Sequence, residues 1–423
     1  MNVLIVGLNY APEPIGIGPY TRDMATFLAQ SGTRVSVVSA TPYYPYWQVA
    51  RGYSRFLYRH AVEEGVTVTR CPLYVPENPT GLRRILHHLS FVFSAFIPVL
   101  LNVLFRRPDV VIAIAPSLMS APLARLAGWL CGARTWVHVQ DFEVEAAFAT
   151  GLVAQDSRTA RLALAFQRRA FCGFDRYSSI SPQMCAKLAQ LLPATVQVLE
   201  VRNWADMSLA ESNPNDGSYR AAWDLDGKHV ALYSGNVSRK QGIGIVVDAA
   251  RRLKARDDVR FVICGDGPEM IHLAEATRDL PNVLLKGLQP REQLGALLSL
   301  ASVHLLPQIE DAADLVLPSK LTNMLASGRP VIATAKADTG LAWEIEGCGL
   351  ATPPGDAEAF SAAITTVLDS PAMRSGLGEV ARQRARERWS KVAIMGAVQA
   401  ELAALCVRDL PKPADAIPDA AIN

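Results

Sequence analysis

Short, uninterrupted apolar runs alternate with amphipathic helical stretches along almost the whole chain, and this alternation leaves few folds open. Residues 2–7, NVLIVG, are the first run; a Pro/Gly loop follows at 11–19, then YTRDMATFLAQSG, with helical spacing of its apolar positions up to Gly32. The unit recurs in TRVSVVSA, PDVVIAIAPS, ARTWVHVQD, DRYSSISP and TVQVLEVRN, most of them followed by alanine- and leucine-rich helical stretches. Strands apolar on both faces need helices on both sides, so the pattern predicts a doubly wound α/β sheet. In such a sheet the ligand crevice opens at the carboxyl ends of the strands.

Between Trp204 and Lys228 the alternation lapses into ESNPNDGSY, a turn-forming segment typical of a linker. It resumes in KHVALYSGNVSRKQG, VRFVICGDGPE, PNVLLKGLQ, SVHLLPQ and RPVIATA. The expected organisation is therefore two Rossmann-like domains, 1–205 and 206–390, then 391–423 as a C-terminal helix packing back on the first domain plus a tail. A chain of 423 residues is too long for one ordinary core and agrees with that count.

The net charge of +2 gives no global footprint for nucleic acid, so no nucleic-acid partner is expected. Arginines gather locally instead, at Arg51, Arg55 and Arg59, at Arg83 and Arg84, and at Arg106 and Arg107. The seven cysteines are odd in number and form no C-x-x-C pair, which argues against a disulfide framework or structural zinc. MNVLIVGLNYAPEP has no basic lead-in and no cleavage pattern, so a cytoplasmic location is expected.

The uncharged run Leu89–Phe105 falls just short of the ~20 residues a spanning helix wants. If it crossed a bilayer once, the strands at 2–7 and 109–114 would lie on opposite sides, yet both read as neighbours in one sheet. The basic pairs Arg83/Arg84 and Arg106/Arg107 at its two ends favour a helix over 83–107 lying on an anionic membrane surface over a wholly buried one. Phe91, Phe96 and Leu100 are expected on its lipid side, with a kink at Pro98.

Three stretches carry candidate chemistry. In EPIGIGPYTRD, Gly16 and Gly18 allow close backbone approach at the start of a helix, where free N–H groups suit a phosphate; a plain tight turn is the alternative. It is not the dinucleotide fingerprint, because Thr21 stands where the third glycine would be. In YSGNVSRKQG, Arg239 and Lys240 follow a strand and can neutralise a diphosphate without metal. In DAADLVLPSKLTNMLASGRPVIAT, Lys320 sits in the first turn of a helix, against the dipole, and a bound anion is the natural compensation.

Together SGNVSRKQG, CGDGPE, LPSKLTNMLASGRPVIATA and NYAPEPIGIGPYT resemble the family-4 retaining glycosyltransferases of GT-B fold, nearest the colanic-acid-type exopolysaccharide transferases often described as fucosyltransferases. The resemblance runs to about Leu405. It implies two Rossmann-like domains facing a central cleft, an acceptor-binding N-terminal half and a C-terminal half that holds a nucleotide-sugar donor, GDP-fucose first among them. By resemblance, Arg239 and Lys240 bind the donor diphosphate, Gly265, Asp266 and Gly267 lie near the nucleoside, and the turn from Leu317 through Ser319 to Lys320 offers N–H groups to phosphate. Gly16 and Gly18 close over the donor, and Asp141 faces the transferred sugar, although a helix N-cap is an alternative for Asp141. The family implies retention without metal, no cofactor, and a lipid-linked saccharide acceptor reached from the inner face of the cytoplasmic membrane.

The sequence departs from the family in several places. Many members have two glutamates eight residues apart; here Asn323 holds the second position, and Asp314 or Asp311 is nearest the first. Asn236 and Gln241 stand where the phosphate-loop cations usually are, and Gln140 replaces a common histidine, with His138 expected on the other face of its strand. These departures keep two other readings open, a nucleotide-sugar epimerase or phosphorylase of similar architecture and a non-catalytic nucleotide-regulated scaffold.

Overall fold

The computed structural model describes residues 1–14, 16–142, 144, 158–205, 207, 218–238, 241–309 and 318–407. The chain divides into two compact units, Met1–Val201 together with the end of the chain from Met395, and Arg202–Ile394. The division falls at Arg202 rather than at 205 because the start of the connection is tied to the second unit. Ala205 bridges to Ser390, and the Arg202 guanidinium donates to Glu344 at 2.8 Å.

The first unit holds eight strands: β1 (Asn2–Gly7), β2 (Arg34–Ala40), β3 (Arg59–Glu63), β4 (Val66–Cys71), β5 (Val110–Ala115), β6 (Arg134–Val139), β7 (Arg176–Ser179) and β8 (Val198–Glu200). Their order is β3-β4-β2-β1-β5-β6-β7-β8, parallel throughout except for β3 against β4. The β3–β4 hairpin is absent from the alternation read in the sequence, because RHAVE is a half-exposed edge strand with no apolar run. Val3 pairs with Val110, so β1 and β5 are immediate neighbours and the intervening helix cannot leave them on opposite sides of a bilayer.

That helix, α2 (Gly81–Phe105), follows α1 (Ile17–Gln30) and precedes α3 (Ala121–Cys131). One face, with Phe91, Ala95, Pro98, Val99 and Val103, is buried against the sheet and α3. Pro98 lacks the N–H that would bond the Ser94 carbonyl; the Tyr58 hydroxyl donates to that carbonyl instead, at 2.9 Å, and ties the loop before β3 to the helix. Arg107, at φ 44°, ends the helix as its N–H joins that of Arg106 on the Asn102 carbonyl, and Pro108 follows.

The second unit is a six-stranded, wholly parallel sheet of β9 (His229–Ser234), β10 (Val259–Cys264), β11 (Val283–Lys286), β12 (Val303–Leu306), β13 (Val331–Thr334) and β14 (Gly349–Thr352). The order is β11-β10-β9-β12-β13-β14. The chain therefore winds outward from β9 in one direction and from β12 in the other, which places the topological switch point between those two strands. In the first unit the corresponding point lies between β1 and β5.

Glu344 is nearly buried and accepts from both Arg202 and Arg388 at 2.8 Å, while the Arg202 guanidinium lies 5.3 Å from the Trp389 ring centroid. Removing the carboxylate takes an ion-pair partner from the largely buried Arg202 and from the half-exposed Arg388 together. Glu344→Ala is expected to lower the stability of the second unit by about 3 kcal/mol in urea unfolding; a loss below about 0.5 kcal/mol would show the network to be no more than a surface pair.

Candidate functional site

In the second unit the switch point is bridged by one side chain. Lys320 lies in the first turn of the helix Ser319–Ala326, which follows β12, and its Nζ donates to Gln241 Oε1 at 2.8 Å, in the loop after β9. The ammonium sits 4.3 Å from the centroid of the buried Tyr233 ring, and the aliphatic stem runs beside Gly235, where an added Cβ would lie 3.5 Å from Lys320 Cδ. Among the described residues it has no carboxylate partner. Burial without a counter-charge pushes its pKa down to about 7. The helix start has Pro318 at the N-cap position, no side-chain cap and no acidic residue in its first turn, so its N–H groups and the ammonium present positive potential together.

Two loops are interlocked next to this corner. The Gly235 N–H donates to the Cys264 carbonyl and the Val237 N–H to the Asp266 carbonyl, each at 2.9 Å. A Cβ on Gly265 would meet the Gly235 carbonyl oxygen at 1.9 Å, and one on Gly267 would meet the Val237 oxygen at 2.2 Å. These two glycines are thus required by the contact between the loops after β9 and β10, before any ligand is considered. Asp266 accepts the Gly267 N–H at 2.8 Å and is otherwise exposed. Ser319 opens the Lys320 helix and is exposed, and Asn323, half-buried, follows Lys320 by one turn on the same face. Arg239, Lys240, Asp311, Asp314 and Leu317 lie outside the described residues.

The carboxyl edge of the first unit is organised by Glu13, which the sequence reading passed over. Its carboxylate is 3% exposed and accepts from Asn9 Nδ2 at 2.9 Å and from the Tyr43 and Tyr44 N–H groups at 3.2 and 3.1 Å. Burial raises its pKa, while the three donors oppose the rise. Gly18 is packed from within: an added Cβ would lie 3.1 Å from the Tyr10 backbone and 3.2 Å from Glu13. Gly16, at φ 77°, precedes α1 and faces the Tyr44 ring. Burial first, then the Glu13 and Asp141 carboxylates, raise the Tyr44 hydroxyl pKa against Arg84, so these four groups share one neighbourhood with Gly16.

Asp141 follows β6, and its Oδ1 accepts the Phe142 N–H at 2.8 Å. Gln140 beside it and Ser117 after β5 are buried with side-chain oxygens that have no hydrogen-bond partner. Buried polar oxygens are normally satisfied, so these two are acceptors or donors open to water or a polar ligand. His138 is packed against Ser178 Oγ at 2.9 Å and held neutral by burial, its pKa lowered to about 4. Tyr43, Trp47 and His87 form an aromatic cluster with centroids 4.5 to 5.4 Å apart, and the Arg84 guanidinium lies over Trp47 at 5.4 Å. The aromatic run Tyr43–Trp47 after β2 was the sequence signal for it.

A depressed lysine pKa has a consequence for stability. Below pH 7 folded and unfolded chains both hold the proton and the burial penalty is complete; between about 7 and 10.5 only the unfolded chain still holds it, so stability rises with pH. Relative to Lys320→Met, the wild-type second unit is expected to gain stability from pH 6.5 to 9.5 in urea titrations. Parallel pH curves for the two proteins would contradict the buried, unpaired ammonium.

Two family models match the chain, Glycosyl transferase 4-like domain over residues 16–204 and Glycosyl transferases group 1 over residues 217–384. The chain is 39% identical over 406 residues to WcaI of Escherichia coli (strain K12), a protein named "Putative colanic acid biosynthesis glycosyl transferase", covering 93% of this chain and 98% of that one. It is 26% identical over 331 residues to a Pseudomonas aeruginosa protein named as a probable glycosyltransferase, WbjE, covering 76% and 80% of the two chains. Among solved structures, sucrose-phosphate synthase from Thermosynechococcus elongatus superposes with a TM-score of 0.70 at 18% identity, covering 96% of this chain and 99% of that one. HepE from Anabaena in complex with UDP superposes with a TM-score of 0.68 at 16% identity, covering 96% and 100%.

Proposed function

Because the chain belongs to the family-4 glycosyltransferases of GT-B fold, we propose that it moves a sugar from a nucleoside-diphosphate donor to a polyprenyl-diphosphate-linked saccharide in bacterial exopolysaccharide assembly. GDP-fucose is the favoured donor, with other GDP- or UDP-sugars as alternatives. The observation that carries the chemistry is Lys320, a half-buried ammonium at a helix start and across a switch point, with no carboxylate partner among the described residues. A diphosphate supplies the missing negative charge. The full-length similarity to a protein named for colanic acid biosynthesis supports the pathway.

In this reading Lys320 acts with Arg239 and Lys240 on the donor diphosphate, while Asn323, one turn along the helix, serves the ribose. Asp141, Gln140 and Ser117 meet sugar hydroxyls. The bond from the anomeric carbon to the diphosphate oxygen breaks as the acceptor oxygen bonds to the same face of that carbon, through an oxocarbenium-like ion pair. The acceptor proton passes to the departing phosphate oxygen, so no separate general base and no metal is needed. Cations positioned at the leaving oxygens stabilise the charge as it develops.

Lys320→Ala is expected to lower kcat/KM by about ten- to several-hundredfold with the fold intact. The product should keep the anomeric configuration of the donor, and excess chelator should leave the rate unchanged. An inverted product, or activity lost to EDTA and restored by manganese, would overturn this mechanism. Donor turnover that needs no lipid-linked acceptor would point to the epimerase or phosphorylase reading.

We place the enzyme on the inner surface of the cytoplasmic membrane, held by α2. Only 28% of the most apolar stretch of this helix is buried, and its outer side exposes Leu82, Phe93, Ile97, Leu104 and Phe105. The lipid side differs from the sequence expectation, since Phe91 is fully buried and Leu100 half-buried, while Phe93 is 75% exposed. The spacing of the buried set fixes this: Phe91, Ala95 and Val99 share the inward face, and Phe93 and Ile97 point away. Phe93→Ser with Ile97→Ser should weaken sedimentation with vesicles at least tenfold without lowering thermal stability. Unchanged binding would remove α2 as the anchor.

A further inference from the structure

At the opposite end of the first sheet from its ligand edge lies a cavity of about 350 Å³, between the amino ends of β1 and β2 and the last turn of α2. Two guanidinium groups line it, Arg34 at the start of β2 and Arg106 just past α2, and neither has a carboxylate partner among the described residues. Arg106 donates to Ser36 Oγ at 2.9 Å, which fixes one side of its fork and leaves the other for a ligand. The adjacent carboxylate, Asp109, accepts the backbone N–H of Asn2 at 2.7 Å. Asn2 and Asn102 also line the cavity; each gives its amide nitrogen to a backbone carbonyl, of Arg106 and Pro98 respectively, and keeps an amide oxygen without a partner. The rim is apolar: Phe105, part of the lining, is 80% exposed, and the preceding Leu104 and, one turn back, Leu101 are exposed.

We propose that this cavity binds the phosphate of an anionic phospholipid headgroup. The proposal rests on the placement of α2 at the membrane surface. Two guanidinium groups without a carboxylate partner among the described residues, beside a hydroxyl, select a phosphate oxyanion, and the exposed Phe105 of the lining continues through Leu104 into the apolar side of α2, where acyl chains would lie. A free phosphate would use the guanidinium groups alone and leave that rim in water. The cavity sits at the amino ends of the strands, so it is separate from the donor and acceptor edges and would orient the first unit on the bilayer while substrate binds elsewhere.

The test uses the full chain with dioctanoyl phosphatidylglycerol below its micellar concentration, titrated by calorimetry. One lipid should bind per chain, with Kd raised at least tenfold by Arg34→Gln or Arg106→Gln and unchanged by Arg83→Gln, a basic residue at the other end of α2. Dioctanoyl phosphatidylcholine and inorganic phosphate should each bind at least tenfold more weakly than the glycerol lipid. Absence of saturation, equal effects of all three arginine variants, or inorganic phosphate binding as tightly as the lipid would each overturn the proposal. Vesicle sedimentation separates the two ideas: wild-type binding to vesicles that is lost in the Phe93/Ile97 variant but accompanied by no lipid stoichiometry keeps the membrane placement and removes the headgroup site.

Discussion

In each unit two adjacent parallel strands send the chain away in opposite directions, β1 and β5 in the first and β9 and β12 in the second. The loops leaving such a pair diverge, so the carboxyl edge between them cannot be filled by its own backbone. Whatever occupies that edge must be side chains or a ligand. In the second unit it is Lys320, bonded to Gln241 across the divide and lying over Tyr233. In the first unit the best-ordered group at the carboxyl edge, the Glu13 carboxylate, lies on the β2 side of β1 and draws the loop after β1 onto the loop after β2.

These two groups tie loops together at the carboxyl edges with opposite chemistry, Lys320 across the β9–β12 divide and Glu13 between the loops after β1 and β2. Glu13 is satisfied in the folded chain by three donors, so its loop has a settled shape. Among the described residues Lys320 has one neutral acceptor and a ring face, and burial lowers its pKa. The glycines at 265 and 267 bring the neighbouring loop within hydrogen-bonding range of the loop after β9 and hold Gly235, beside the lysine stem, and Val237 in place. In the proposed reaction an anion arriving there meets that ammonium and the helix start together, and both stabilise a departing diphosphate electrostatically.

α2 inverts the usual arrangement of a helix over a doubly wound sheet, because its solvent side is as apolar as its packed side. Its interior proline would leave a carbonyl unsatisfied, and Tyr58 supplies the donor. Phe56 and Leu57, next to Tyr58 in the chain, are exposed as well. Arginines lie exposed at both ends, and at one of them the amino edge of the sheet opens into the Arg34–Arg106 cavity.

The sequence by itself determined the two doubly wound sheets, because continuous apolar strands such as NVLIVG and VVIAIA have no other way to bury both faces. It also determined that 2–7 and 109–114 share a sheet, and the motif around Lys320 was legible as a family resemblance. Tertiary structure decided what periodicity cannot express. The β3–β4 hairpin carries no apolar run and exists through pairing with β2; Glu13 looks like a surface residue between two prolines until the loop after β2 arrives with its N–H groups. Gly18, Gly265 and Gly267 read as openings for a ligand, yet each lies against the protein's own backbone or side chains, a contact between segments that sequence spacing does not record. Which side of α2 faces outward was likewise fixed by packing, since a helix apolar all round offers no polar stripe from which to choose.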